Sequence, residues 1–318
     1  MNAFYIMLKN VIVFVALAIP GYLLVRTNKL KKEQSGALSM LLMYVGMPFL
    51  IFSSTINNVT FNKELILTIC AVALIGTAYT FVMFFLSKPL TKMEKEEKTR
   101  SMMRFAAVFS NNGFLGIPLA KAVFGDGSGA LMIVIILNIV TNVLLYTLGI
   151  YLVSGDEKAI SFKKALLNPV VIAFAVGIVA NLTDVKGYVP EVASFSNHFS
   201  NIVTPISMTI LGMKLGDVKF SELFTSRKLY YISALKLIAS PVVIVATVLL
   251  ISKVWSFISA DMILGIFVAF AMPTAGLSST FADSFGGDTK SAVTLTLGTT
   301  ILSILTIPLL YWGVCTLL

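Results

Sequence analysis

The sequence predicts an all-α integral membrane protein with ten transmembrane helices, arranged as two five-helix repeats that cross the membrane in opposite directions. Three observations predict this fold class. Hydrophobic residues make up 57% of the 318-residue chain and charged residues only 12%, and the mean hydropathy is +0.92. The apolar residues form ten stretches, each close to the ~20 residues that a helix needs to cross a bilayer. Two of these stretches, in corresponding halves of the chain, carry the same kind of interruption.

The predicted spans follow one another with short connections, so no sizeable soluble domain is expected between them. In chain order they cover residues 4–26, 36–56, 64–87, 101–124, 129–153, 166–185, 190–215, 229–252, 261–283 and 291–317. The first span is too long for a signal peptide and lacks a basic leader, so we expect it to stay in the mature protein. Cys70 and Cys315 both lie in apolar spans and predict neither a disulfide nor a metal cluster.

Basic residues mark one face of the predicted membrane protein. Most Lys and Arg residues lie in the connections after spans one, three, five and seven, whereas the opposite connections hold few. The positive-inside rule places the basic connections in the cytoplasm and both termini outside it. We therefore expect a multi-pass protein of the cell membrane, in which the net charge of +9 reports topology rather than nucleic-acid binding.

Spans four and nine are each interrupted near the middle by glycine and proline. The interruptions cover residues 109–118 and 270–279, and each is followed by an exit that contains Gly and Asp, at residues 125–126 and 287–288. Broken helices in corresponding halves indicate a transporter binding site, because they free backbone polar groups at mid-membrane depth. Such groups are tolerated only where protein or a water-filled cavity satisfies them. The pattern therefore predicts a secondary transporter.

Three landmarks recur in the same order in both halves of the chain. Pro48 in span two matches Pro205 in span seven, Pro118 matches Pro273, and the exits match each other. Five spans is an odd number, so the second copy must enter the membrane from the opposite face, and such a repeat provides inward-open and outward-open states. The predicted repeats are residues 1–153 and 154–318. The alternative is chance similarity among apolar segments, against which the shared order argues.

The two interruptions also suggest how an anion is bound without a fixed positive side chain. A broken helix presents the N-terminus of its second half, where N–H groups and the helix dipole favour negative charge. Gly113, Gly116 and Gly276 allow a ligand to approach the backbone closely. Pro118 and Pro273 each disrupt the preceding helical turn. A single break is equally well explained as a kink filled by neighbouring helices, but the matched pair favours a carboxylate site.

One motif resembles the pattern of the auxin efflux carrier family. The residues that carry the resemblance are Asn111, Gly116, Ile117, Pro118, Leu119, Lys121 and Gly125, with support from Asn168, Pro169, Leu235, Lys236, Leu237, Pro241, Met272 and Pro273. The resemblance covers essentially the whole chain, although the large central cytoplasmic loop of the plant carriers is absent. That family includes plant auxin carriers and bacterial permeases for malate, malonate and similar acids. The resemblance therefore implies a small organic acid as substrate, without implying plant-hormone transport.

The resemblance also implies the fold that sodium/proton antiporters share with bile-acid transporters. Residues 1–57 and 166–216 would form a scaffold and a homodimer interface. Residues 64–153 and 228–318 would form a moving transport domain, in which spans four and nine cross at their breaks. Alternating access would then proceed by an elevator or rocking motion of that domain.

Polar side chains near the breaks are the candidate substrate contacts. The family pattern implies that Asn111 contacts substrate, whereas Asn112 fits an interhelical hydrogen bond equally well. An amide can donate to a carboxylate and accept from a ligand hydroxyl without the cost of burying a charge. The remaining candidates, for which a packing role is about as good an explanation, are Asn138, Thr141, Asn142, Thr274, Ser278 and Ser279.

Two lysines lie within spans, where a central cation costs roughly 2.5–3.5 kcal/mol on insertion scales. Lys121 follows Pro118 by one turn and matches the family motif, so we expect it to attract anions or to interact with the other half-helix. Lys236 is expected to extend toward the cytoplasmic end of span eight. It counts, with Pro48 and Pro205, as a possible supporting residue of the site.

Acidic residues lie only at the ends of the predicted spans, at Asp126, Glu191, Asp261 and Asp283. Proton antiporters of the implied fold use a buried carboxylate, which has no candidate here. Backbone carbonyls at the breaks can still bind Na⁺, so coupling to Na⁺ or H⁺ stays open. The leading hypothesis is a carrier of small organic carboxylates. The alternative is a Na⁺- or H⁺-coupled symporter or antiporter of the same fold with a non-carboxylate substrate.

Enzymatic activity is not expected from this sequence. An enzyme needs convergent nucleophiles, bases or metal ligands, and the chain contains a single histidine, His198, and two separated cysteines. The histidine is best explained as a satisfied polar residue of span seven. The sequence therefore predicts no cofactor and no bound metal.

Overall fold

The computed structural model describes residues 3–58, 63–160, 162–216, 223–255 and 257–318, and these ranges are helical without a β-strand. The α-helices are α1 (Ala3–Arg26), α2 (Ser35–Leu41), α3 (Met47–Asn58), α4 (Lys63–Leu90), α5 (Glu97–Val108), α6 (Ile117–Phe124), α7 (Gly129–Leu144), α8 (Ile150–Ser154), α9 (Phe162–Leu166), α10 (Pro169–Leu182), α11 (Val185–Tyr188), α12 (Glu191–Ser200), α13 (Val203–Gly216), α14 (Arg227–Ser233), α15 (Ser240–Ser252), α16 (Ala260–Ala271), α17 (Ser278–Phe285) and α18 (Thr289–Leu317).

Six helical segments in the described ranges are long and apolar enough to cross a membrane, and shorter apolar helices accompany them. Large apolar side chains stay exposed along several of these helices, for example Ile12, Leu74 and Val179. Such an all-round apolar surface is typical of helices that face lipid. The all-α, multi-pass expectation agrees with this architecture, while the ten-span, 5+5 arrangement remains a prediction.

Two details of the predicted spans differ from the structure. Span seven was predicted as one stretch over residues 190–215, but α12 ends at Ser200 and α13 begins at Val203. The break of span four lies at residues 109–111, before the glycines and Pro118 that were expected to cause it. Pro118 therefore lies inside the second half-helix, as the second residue of α6.

Four π-helical turns widen the helices of the described ranges, and three of them lie just before a proline. The turns Leu42–Gly46, Asn112–Gly116 and Ala234–Ala239 are each separated by one residue from the proline that follows, which is Pro48, Pro118 and Pro241 respectively. A proline in a helix donates no hydrogen bond, and its ring clashes with the carbonyl four residues earlier. A wider turn at that point relieves the clash, so the helix continues instead of breaking.

Helices α1 and α13 pack so closely that their backbones touch. A Cβ atom on Gly21 would overlap the Thr209 carbonyl, and one on Gly212 would overlap the Ala18 carbonyl. Small residues at an interface allow this approach in a membrane, where packing replaces the hydrophobic driving force. The pair therefore forms a close-packed unit in which a larger side chain has no space.

Helix α3 packs against α10 and α12 through polar and aromatic contacts. The Asn181 amide donates to the Thr55 carbonyl at 3.2 Å, and the Ser53 hydroxyl donates to Asn197 Oδ1 at 2.6 Å. The Phe49 ring stacks on a neighbouring ring of α12 with centroids 4.7 Å apart. These contacts join the second predicted span to the sixth and seventh.

Helix α7 lies at the centre of a second group of helices, which includes α4, α15 and α16. Gly76 of α4 faces Leu137, and Gly265 of α16 faces Ile133, so both neighbours approach α7 closely. The Tyr79 hydroxyl of α4 donates to the Ser240 carbonyl at 2.8 Å and links α4 to α15. The two interrupted segments are held within this group, against α7.

Candidate functional site

The two interrupted segments cross and are joined by backbone hydrogen bonds. The Asn111 N–H donates to the Pro273 carbonyl at 2.8 Å, and the Ala275 N–H donates to the Phe109 carbonyl at 3.0 Å. The pairing is an isolated antiparallel bridge between otherwise helical segments. The crossing that the resemblance implied is therefore present. Each segment satisfies part of the backbone that the other one frees.

The two breaks have different local causes. At the second, α16 ends at Ala271 and Met272 is extended (φ −65°, ψ 146°), as the residue before a proline usually is. The first break contains no proline. There Phe109 is extended (φ −96°, ψ 127°) and its carbonyl accepts the hydrogen bond from the second segment. Tertiary pairing therefore accounts for the position of the first break.

A small cavity beside the crossing, which we call the crossing pocket, brings together many of the predicted site residues. Its volume is about 50 Å³, enough for a few water molecules. The predicted residues that line it are Asn111, Asn112, Gly113, Asn138, Thr141, Asn142 and Gly276. They come from both breaks and from α7. Within the described ranges, no ionisable side chain lines this pocket.

Two buried amide atoms in the crossing pocket have no protein partner. Asn112 is 2% exposed and Asn138 is 3% exposed. Asn112 Nδ2 donates to Thr141 Oγ1 at 2.9 Å, and Asn142 Nδ2 donates to Asn138 Oδ1 at 3.2 Å. Among the described residues, this leaves the acceptor Asn112 Oδ1 and the donor Asn138 Nδ2 unpaired. A buried unpaired polar group costs about 1–3 kcal/mol, so a polar ligand that pairs with both atoms would be favoured.

Three predicted residues of the first motif lie outside the crossing pocket. Gly116 packs against Met272, where an added Cβ would lie 3.2 Å from Met272 Cγ. Pro118 is buried in the first turn of α6. Lys121 Nζ pairs with Asp126 Oδ1 at 3.1 Å, at the exit of its own segment. The expectation that Lys121 interacts with the other half-helix was therefore wrong.

The predicted residues of the second break serve different purposes. Pro273 and Thr274 form the crossing itself, and the Thr274 hydroxyl donates to the Ala106 carbonyl at 3.3 Å. Ser278 is buried and hydrogen-bonded to Thr296. Ser279 lines a second, larger cavity.

The paired prolines of spans two and seven do not line the crossing pocket. Pro48 follows a π turn and faces an open apolar groove with Phe49 and Phe52. Pro205 lies exposed near the start of α13, just after the interruption between α12 and α13. Both lie at irregular helix geometry in corresponding spans, and neither is among the residues that line the crossing pocket.

Lys236 does not extend to the cytoplasmic end of its span, so that expectation was wrong. Its side chain is fully buried, at 0% exposure. The ammonium donates to Ser110 Oγ at 2.6 Å and to the Val108 carbonyl at 3.4 Å. These acceptors are the last residue of α5 and the middle of the first break. The lysine thus donates to the Val108 carbonyl, a group that the break leaves at the end of α5.

Sequence reasoning missed two residues at the site. Lys214 was counted only among the topology-defining charges, yet its ammonium donates to the Gly276 carbonyl in the second break at 3.1 Å. Asn168 was used only for the resemblance, yet it lines the crossing pocket while its Oδ1 caps α10 by accepting from the Val170 N–H at 2.9 Å. For Lys214, its place in the last turn of an apolar helix was the available signal.

A larger cavity of about 740 Å³, which we call the access cavity, adjoins the crossing pocket. The two share the lining residues Met43, Phe114, Gly276 and Leu277. Its other lining residues include Lys164 and Lys214, as well as Glu33 and Asp283 near the surface. Lys164 and Glu33 belong to connections on the basic side of the protein. The access cavity therefore leads from the surface at these residues to the crossing.

Comparison with known proteins places the chain among membrane transporters. The sequence model of a family described as "Membrane transport protein" matches residues 5–311. An uncharacterised transporter of Methanothermobacter thermautotrophicus is 25% identical over 313 residues, which is 96% of this chain and 97% of the relative. An uncharacterised transporter of Methanocaldococcus jannaschii is 27% identical over 210 residues, which is 64% of this chain and 68% of the relative.

Proposed function

Because the chain belongs to the auxin efflux carrier family of membrane transport proteins, we propose that it is a secondary transporter of a small organic carboxylate. Membership confirms the resemblance, and it makes the chain a multi-pass membrane transporter rather than an enzyme. The finer proposal concerns the substrate, its site at the crossing of the two broken helices, and the elevator-type motion that exposes this site to each side in turn.

The observation that carries the proposal is the unpaired donor in a pocket without acidic groups. Asn138 Nδ2 is buried without a protein partner, and Asn138 lines a cavity that no Asp or Glu of the described ranges lines. The second half of interrupted span four begins with the π turn Asn112–Gly116, which lines the same pocket. The first N–H groups of a helix have no partner within the helix. A carboxylate supplies several acceptor lone pairs for such donors, and the dipole of a helix N-terminus favours its charge.

The route to the site supports an anion as well. Lys214 reaches the Gly276 carbonyl where the access cavity meets the crossing pocket. Lys164 lines the same cavity nearer the surface. Glu33 and Asp283 line the outer part of the access cavity beside Lys164, so Lys214 at its inner end supplies the attraction for an anion. An acid that enters from the basic side would meet Lys214 before it meets the asparagines.

The walls of the access cavity favour a sliding motion. Residues 33–44 and Lys214 belong to the proposed scaffold, whereas Gly276–Phe285 and 289–297 belong to the proposed transport domain. A cavity between two such groups opens and closes when one group moves past the other. We propose that the cavity is open toward the cytoplasm, with both termini on the other side of a plasma membrane, and that the scaffold forms a homodimer interface.

A second candidate is a Na⁺- or H⁺-coupled transporter of a non-carboxylate substrate. The observation that favours it is Asn112 Oδ1, a buried acceptor without a protein partner. Oxygen atoms of this kind bind hard cations, and broken helices in transporters often supply carbonyls for the same purpose. One such atom is a weaker cation site than a set of converging oxygens, so the carboxylate proposal leads.

The test is a transport measurement on reconstituted protein. Currents on a solid-supported membrane would be recorded with malate, malonate, oxalate, lactate and an indole carboxylate, each in Na⁺ and in choline and with a pH step. Asn138→Ala would remove the unpaired donor. Asn10→Ala is the matched control, because Asn10 Nδ2 donates only to the Ile6 carbonyl of its own helix, at 2.9 Å.

The proposal expects a saturable current with at least one acid, which is lost in Asn138→Ala and kept in Asn10→Ala. Currents that depend on Na⁺ or H⁺ alone, with no response to any acid, would contradict it and favour the second candidate. The Asn111→Ala variant tests the family-implied contact in the same assay.

A further inference from the structure

Lys236, a buried lysine just before α15, has no acidic partner among the described residues. Lys236 lies in the π-helical turn Ala234–Ala239 and is 0% exposed. No carboxylate of the described ranges forms an ion pair with it. Both of its hydrogen-bond acceptors, Ser110 Oγ and the Val108 carbonyl, are neutral groups of the first break. A buried ammonium is costly unless its surroundings supply compensating negative potential.

The end of α5 supplies that potential. Val108 is the last residue of α5, and the C-terminus of a helix carries roughly half a negative charge on its unpaired carbonyls. In transporters with broken helices, such half-helix C-termini and unwound carbonyls hold the coupling Na⁺ or H⁺. The Lys236 ammonium is a monovalent cation at a position of that type.

The second break also carries a cation, since the Lys214 ammonium donates to the Gly276 carbonyl, but Thr274, which pairs with Ser110 across the crossing, bonds to neutral groups. There Thr299 Oγ1 accepts from the Thr274 N–H at 3.2 Å, and the Thr274 hydroxyl donates to the Ala106 carbonyl. Of the two residues paired at the crossing, Ser110 is therefore the one bonded to an ammonium, and it lies next to Asn111, which lines the crossing pocket.

We propose that Lys236 is a tethered cation that occupies the place of a coupling ion, so that this carrier works without Na⁺. The ammonium holds the end of α5 against the crossing and offsets the charge of a bound anion in both states of the cycle. Removing it would leave a cation site of neutral oxygens that a small external cation can fill. The transport readout rests on the proposed function, whereas the cation-binding readout does not.

The experiment compares wild type with Lys236→Ala, which opens space for an external cation. Thermal unfolding in detergent and substrate currents in liposomes would be measured in choline, Na⁺, Li⁺ and n-propylammonium chlorides. Lys253→Ala is the matched control, because it removes the same charge from an exposed position at the end of α15. Lys236→Gln is a second variant that keeps a donor at the site, in case Lys236→Ala does not fold.

We expect the wild type and Lys253→Ala to give the same melting temperature and current in Na⁺ as in choline. Lys236→Ala should melt at a lower temperature in choline and recover by several degrees in Na⁺ or n-propylammonium, since a ligand that binds only the folded state stabilises it. Its current should be reduced at least about tenfold in choline and rise with the same cations.

Two results would overturn the proposal. One is a wild type that needs Na⁺ for stability or current. The other is a folded Lys236→Ala or Lys236→Gln protein that shows no response to any of the cations, which would assign the lysine a purely structural role. If no acid gives a current in wild type, the carboxylate proposal fails, and the melting temperatures alone still decide between a tethered cation and a structural lysine.

Discussion

Gly113→Ala tests whether the crossing pocket binds substrate, because it fills the pocket with little expected change in the stability of the fold. Gly113 lines the pocket, and an added Cβ would lie 3.0 Å from Asn138 Oδ1 and 3.3 Å from Met47 Cε. The methyl group therefore enters a cavity of only about 50 Å³ and pushes the Asn138 amide by a few tenths of an ångström. Gly113 does not have a positive φ, so alanine fits the backbone there.

The size of the effect follows from this geometry. A misplacement approaching 1 Å at a site costs about 100-fold in rate, and the shift here is smaller while the lost space is large. We expect Vmax/KM for the transported acid to fall about 10- to 100-fold, or about 1.4–2.8 kcal/mol. Alanine in place of a helical glycine gains about 0.5–1 kcal/mol of stability, which offsets the cost of moving the Asn138 amide, so we expect stability to change by less than about 1 kcal/mol.

The assay pairs initial uptake rates in proteoliposomes with thermal unfolding of the same protein preparations. Gly313→Ala in α18 is the matched control, because a Cβ there meets nothing within 4 Å. An unchanged Vmax/KM in Gly113→Ala would refute the assignment of the crossing pocket as the substrate site. A loss of activity that is accompanied by an equal loss of stability would refute the packing argument.

Three further predictions address other parts of the molecule. Gly212→Ala should destabilise the protein by roughly 1–3 kcal/mol, because a Cβ there overlaps the Ala18 carbonyl; thermal unfolding measures this. Asn112→Asp should abolish transport of an anion, since a second negative charge in the pocket repels it; uptake across the acid panel measures this. Lys214→Met should raise KM for the acid about 10-fold by removing the cation beside Gly276; concentration series of uptake measure this.

Each of these predictions has an opposing result. An unchanged melting temperature for Gly212→Ala would mean that the two helices separate at little cost. Uptake of an anion by Asn112→Asp at the wild-type rate would place the substrate elsewhere. An unaltered KM in Lys214→Met would show that the cation at the mouth of the pocket has no part in attracting the acid.

The asparagines of the site could be predicted because their signals are local. Asn111 and Asn112 precede a run of glycines in an apolar span, and Asn138 and Asn142 lie one helical turn apart on the next span. A polar residue in a membrane helix must face protein or water. Periodicity and this rule therefore predicted that they line one cavity, with a packing role as an equally good explanation, and the structure places them in the same pocket.

The lysines show where sequence reasoning ends. The same arguments of length and flexibility fit a lysine that reaches the membrane surface and one that turns inward to a helix end. Lys121 binds the exit of its own segment, whereas Lys236 and Lys214 reach carbonyls of the two breaks. Which carbonyl lies within reach depends on residues that are distant in the chain, so no local pattern carries this information.

Hydropathy, helix breakers and motif spacing are properties of neighbouring residues, so the apolar helices, the two interruptions and the family could be predicted from them. The tertiary structure decided where the first helix breaks, since its extended residues are held by hydrogen bonds to the second segment, 2.8 and 3.0 Å long. The tertiary structure likewise decided which amide atoms stay unpaired and which lysine reaches the break. The first break and the reach of Lys236 depend on the distance between groups more than 120 residues apart in the chain, and packing alone fixes that distance.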